Sequence, residues 1–96
     1  MVKVNYTHHA IDAAYNDRYE EIILPNALNF AKSEIIEVEI KNKKIVKIVA
    51  RFDYNNNYDL VIVIIPQGKI IKTVWLNDKN DTHLTLDTSK YNKNEF

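Results

Sequence analysis

From Ser33 onward the chain alternates with a period of two. In IIEVEI, residues 35–40, Ile36, Val38 and Ile40 face one way and Glu37 and Glu39 the other, the pattern of a half-buried strand. Asn42 and Lys43 suit a tight hairpin turn, after which KKIVKIVARF runs toward an Asn-rich turn, YNNNYD. DLVIVII is apolar on both faces and reads as a central strand covered on both sides. Pro66-Gln67-Gly68 fits a type I turn with proline second and glycine fourth, and KIIKTVWLN is the last long strand. The expected strands are about 34–41, 43–54, 58–66 and 69–77.

The first third has a different period. Thr7 is placed to cap a helix over about 8–19, with Ile11, Ala14 and Tyr15 on one side. Pro25 suits the first turn of a second helix, about 25–32. The expected fold is α+β: one domain over 1–96, with one or two N-terminal helices packed on a four-stranded antiparallel meander and a polar tail over 78–96. One helix layer covers one sheet face. The tail, a partner chain or a shallow concave site accounts for the other.

Composition narrows the classes. The chain of 96 residues has no cysteine, which excludes disulfides and thiolate metal sites. No apolar run reaches membrane-span length, and the start lacks a signal-peptide pattern, so a soluble cytoplasmic protein is expected. Thirteen basic residues balance thirteen acidic ones, which argues against a general nucleic-acid coat protein but leaves room for a site reading a few nucleotides. Only Arg18 and Arg51 are arginines, and a guanidinium suits phosphate as lysine does not.

Chemistry-bearing residues gather in three places. His8 and His9 open the first helix, where free N–H groups favour anions. On the last strand Thr73, Trp75 and Asn77 share a face with Ile71, and on the second strand Val49, Arg51 and Asp53 share one; a matching register brings Arg51 and Trp75 together with Asn77 at the rim. In the tail, His83, Thr85 and Asp87 point one way and Leu84 and Leu86 the other. Each also has an ordinary structural reading: a core tryptophan, a solvated strand arginine, an exposed histidine, a capping aspartate. His8, Asp12, Asp81 and His83 offer an oxygen–nitrogen metal set, but no HExxH or paired-cysteine spacing is present, so no metal or other cofactor is expected.

THHAIDAAYNDRY, the IILP step, ARFDYNNNYDLVIVI and TVWLNDKNDTHLTLDTSKY together resemble small phage and bacterial proteins related to ribonuclease toxins of the barnase–EndoU–colicin–RelE fold. The similarity spans nearly the whole chain, and the stretch from Thr73 to Tyr91 is its most specific part. Arg18 stands nine positions after His9, where that pattern has about two turns. The resemblance implies metal-independent RNA cleavage through the substrate's own 2′-OH. His9 and His83 would be base and acid in either order, Arg51 would hold phosphate, and Thr85 would act beside them. His8, Arg18, Tyr54, Trp75, Asn77 and Asp87 would bind or orient substrate, with Trp75 or Tyr54 stacking an unpaired base. RNA is then the partner, with an antitoxin or host protein beside it. The competing expectation is a non-catalytic, phage-type binding protein that inhibits a host or defence factor by adding a partner's strand to its sheet edge. A toxin's antidote-like partner is the third.

Overall fold

The computed structural model describes residues 1–81; His83, Thr85, Asp87 and most of the expected tail lie outside the described residues. Strands β1 (Val2–Lys3) and β2 (Asn5–Tyr6) precede helix α1 (His8–Tyr15). Then come β3 (Ala27–Leu28), a 3-10 turn at Phe30–Lys32, and β4 (Glu34–Lys41), β5 (Lys44–Asp53), β6 (Tyr58–Ile65) and β7 (Ile70–Asp78). The four long strands form the expected antiparallel meander. The sheet nevertheless has five strands in the order β2-β7-β6-β5-β4 and is mixed, because β2 pairs parallel with β7 (Asn5↔Ile70, Tyr6↔Ile71). A separate two-stranded sheet joins β1 to β3. The expectation of a purely antiparallel four-stranded meander is therefore corrected.

The expected second helix does not form. Its backbone is claimed by the N-terminus: Val2 and Lys3 pair with Leu28 and Ala27, and the Val4 N–H donates to the Asn26 carbonyl. An eight-residue helix has too little intrinsic stability to outcompete tertiary pairing. Asn29 instead accepts from the Ala31 N–H and caps the 3-10 turn. Helix α1 is capped as expected, with Thr7 Oγ1 accepting from the Ala10 N–H at 3.0 Å, but it ends at Tyr15 rather than 19. Asn16 turns back onto the Asp12 carbonyl and Asp17 onto the Tyr19 N–H, local bonds that compete with helix. The buried face of α1 is also not the expected one. Ala10 and Ala14 are buried, whereas Ile11 and Tyr15 are exposed. Small residues one turn apart let the helix lie close on the sheet.

Each sheet face has its own character. One carries Ala50, Phe52, Leu60, Ile62, Ile64, Ile71, Val74 and Leu76 and packs against α1, Ile22 and Leu28. The other carries Val49, Val61, Val63 and Trp75, with Ile36 beside them. Two bulges move residues between faces. A shift between the Val63↔Thr73 and Ile64↔Ile71 pairs puts Ile71 on the helix side, away from Thr73, Trp75 and Asn77. A shift between Ile35 and Glu37 puts Ile36 on the second face, apart from Val38, which pairs with Ile48. A strict period of two misses both.

Asn42 and Lys43 have φ of 50° and 64°, the left-handed pair a two-residue hairpin needs. At the β6–β7 turn the Lys69 N–H donates to the Pro66 carbonyl, so proline opens the turn rather than standing second in it. Gly68 takes φ 83°, and an added Cβ would stand 3.3 Å from Ile70 Cδ1. Gly68→Ala is expected to lower stability by about 1 kcal/mol or more, measured by urea denaturation.

Candidate functional site

β2 pairs with only the first two residues of β7. At Thr7 the chain leaves the sheet: its N–H donates to the Ile71 carbonyl and its Oγ1 to the Lys72 carbonyl at 3.1 Å. Helix α1 then runs beside the rest of β7. A helix cannot continue the strand ladder, and the seam opens a cleft of about 260 Å³ lined by His9, Ala13, Asn16, Asp17, Arg18, Thr73, Val74 and Trp75. Asp17 closes the strand edge, since its Oδ1 accepts the Leu76 N–H at 3.0 Å and its Oδ2 the Tyr19 N–H at 3.1 Å. Arg18 lies over the Tyr19 ring, 4.7 Å from its centroid, and that ring stacks on Tyr58.

His9, Arg18 and Trp75 thus meet in one cleft. The nine-residue spacing from His9 to Arg18 presents no obstacle, because the helix stops at Tyr15 and residues 16–18 fold back along β7. Thr73 was singled out only as a neighbour of Trp75, and Asn16 and Asp17 not at all. The helix-breaking Asn-Asp pair after Tyr15 was the available signal for both. His8 is exposed at the first residue of α1 and is not part of the cleft lining.

The other predicted residues stand elsewhere. Arg51, Val61 and Trp75 form one cross-strand row, so Arg51 shares Trp75's face two strands away, about 10 Å across the sheet. It is 6% exposed, and its Nε donates to Asp59 Oδ2 at 2.6 Å while Nη2 donates to the Asp78 carbonyl at 2.8 Å. Lys79 Nζ bridges Asp59 Oδ1 at 2.7 Å and Asp53. Burial pushes the Asp59 carboxyl upward, but hydrogen bonds from Lys79 and Arg51 outweigh it and hold the group below its ordinary value. Hydrogen bonds donated to the Asp53 and Asp59 carboxylates raise the Lys79 ammonium above its ordinary value. This cluster pins the turn that ends β7.

Tyr54 belongs to a separate pocket of about 370 Å³ on the helix side, where its hydroxyl accepts the Ile23 N–H at 2.9 Å. Asn77 is 1% exposed, and its Nδ2 has no hydrogen-bond partner among the described residues. Asn77→Leu is therefore expected to hold or raise stability, by about 1 kcal/mol, in urea titrations. A clear loss would mean that the amide does bonding work. Lys47, fully buried on the same face, pairs with Glu39 at 3.3 Å. Among the described residues, no three His, Cys, Asp or Glu side chains converge where a metal ion would sit, and no described helix is long and apolar enough to cross a membrane.

No family model, curated protein or solved structure matches the chain.

Proposed function

We propose that the cleft between α1 and β7 handles single-stranded RNA and cleaves it without metal, using the substrate's 2′-OH as nucleophile. The observation that carries this reading is the convergence of His9, Arg18 and Trp75 on one cleft. His9 moves a proton to or from the reacting oxygens. Arg18 holds the phosphate and offsets its growing charge. Trp75 is 3% exposed and walls the cleft rather than stacking on a base, and the exposed Tyr19 ring beside Arg18 offers apolar surface to an unpaired base. His83 is the remaining acid–base candidate, with Thr85 and Asp87 beside it in sequence. Arg51 holds the Asp78 carbonyl and the end of β7 in this reading, a positioning role. Asn77, on the same strand, supports the cleft from the sheet.

The test is expression in a bacterial cell with growth and total RNA followed, wild type beside His9→Ala and Arg18→Ala. Growth arrest with discrete RNA fragments, lost in either variant, supports the reading. Intact RNA in the wild type overturns it.

A second reading rests on a different observation. β4 is an edge strand, and Ile35, Val38 and Ile40 on it are exposed, as is Ile45 on β5. Exposed apolar side chains on an open edge suit addition of an extended segment from a host or defence protein. The same experiment separates the two. Under this reading growth is affected with RNA intact, Val38→Lys with Ile40→Lys abolishes the effect, and His9→Ala does not.

A further inference from the structure

The pocket that takes Tyr54 shares no lining residue with the cleft between α1 and β7. Its volume of about 370 Å³ falls at the small end of the range typical of small-molecule sites. Leu28 from β3, Phe52 from β5 and Leu60 from β6 are its buried apolar lining. Met1 and Ile23 line it as well, yet they are 88% and 78% exposed. Large apolar side chains left in water beside a buried apolar lining are a surface that a ligand would complete.

The polar groups of the lining have a common bias. The Tyr54 hydroxyl accepts the Ile23 N–H at 2.9 Å, which fixes its oxygen and leaves its proton to donate. Asn29 Oδ1 accepts the Ala31 N–H at 3.2 Å, which leaves the amide NH2 to donate. Lys32, at the end of the 3-10 turn, makes no ion pair among the described residues. Asp53 is the acid in the lining, and Lys79 already holds its carboxylate. The spare capacity is therefore cationic and donating.

We propose that this pocket binds a small organic carboxylate with an aromatic body. The ring packs on Leu28, Phe52 and Leu60 and covers Ile23. The carboxylate accepts from Lys32, with Tyr54 and Asn29 as the neutral donors beside it. One lysine and two neutral donors match a single negative charge on an apolar body; a phosphate would call for more cation and less hydrocarbon. The proposal goes beyond the ribonuclease reading and does not rest on it.

Titration of the isotope-labelled full chain with hydrocinnamate is the test. Saturable shifts are expected at the Ile23, Leu28, Phe52 and Tyr54 amides, and none at His9, Arg18 or Thr73. The uncharged hydrocinnamamide is expected to bind more weakly. Lys32→Gln is expected to weaken the acid by about tenfold, the loss of one charge-assisted bond, and to leave the amide where it was. Lys32 is exposed, so the variant keeps its fold, which its own spectrum checks. Absence of saturable shifts at those four residues overturns the proposal. Equal binding of the acid, the amide and phenylpropylamine also overturns it, since the pocket is then an unselective apolar crevice. Tighter binding of the amine overturns it in favour of Asp53. Shifts confined to His9 and Arg18 overturn it by sending the carboxylate to the cleft. Shifts at Ile23 that follow protein concentration alone overturn it by giving the exposed rim to a second copy. None of these readouts depends on RNA cleavage, so failure of the pocket and failure of the ribonuclease reading are told apart.

Discussion

Arg51→Ala is expected to cost about 3 kcal/mol or more of folding stability, read from urea unfolding followed by Trp75 fluorescence. The guanidinium is nearly inaccessible and makes two bonds, to the Asp59 carboxylate and the Asp78 carbonyl. Deleting it leaves an acceptor on each side of a dry face. Lys79 keeps hold of the other Asp59 oxygen, which places the loss at the lower end of the range for breaking a buried pair. Set against a typical total of about 5–15 kcal/mol, that is a large fraction. Arg51→Ala is therefore a poor probe of catalysis, since a dead variant would be a destabilised one.

The same cluster predicts acid sensitivity. The folded Asp59 carboxyl sits below its unfolded value of about 3.9. Its contribution is present above that unfolded value and disappears as pH falls through the lower folded one. Lys79 has the opposite sign: its raised ammonium contributes below its unfolded value and is lost as pH rises through the folded one. Asp59→Asn is expected to flatten the acid limb of a stability–pH curve. An unchanged limb would show that other carboxylates set it.

His9→Ala is expected to slow RNA cleavage by about 10²–10⁴-fold, the range for losing one positioned proton-transfer group. Arg18→Ala is expected to fall at about 10²-fold or beyond, as for removal of a charge-stabilising donor. Both residues are exposed, so each variant should unfold within about 0.5 kcal/mol of wild type. That contrast separates the cleft from the Arg51 cluster: large rate effects with intact stability on one side, stability loss on the other. Initial rates on a fluorescent single-stranded oligoribonucleotide, with a chelator present, give the comparison. Equal rates for His9→Ala and wild type would remove the cleft from the chemistry.

What could be read from the residues follows from the length of each signal. The four long strands, the hairpin at Asn42-Lys43 and the Thr7 cap were legible because each rests on several side chains or on one strict local rule. β1, β2 and β3 have two residues apiece, too few to display any period. The segment at 25–32 carries helix-compatible residues, and only its long-range pairing with the N-terminus decides against helix. The bulges that moved Ile36 and Ile71 obey no pattern a single strand shows. Lys47 and Arg51 alternate like solvated strand residues, and their burial belongs to the assembled sheet. Of the candidate site, the meeting of His9, Arg18 and Trp75 depended on where α1 stopped. Tyr54 faces a different pocket because the residue after β5 turns to the helix side.

The parallel pairing of β2 with β7 also governs the order in which a ribosome-bound chain can mature. Thr7 finds its carbonyl partner at Lys72, 65 positions downstream, and α1 packs against β7. Until that last hairpin has left the exit tunnel, the opening segment has no ladder to join and its helix no floor. Contacts this distant in sequence close late and slow the search. The His9–Arg18 cleft therefore comes into being only once β7 has emerged, so a nascent fragment lacking β7 has no such seam.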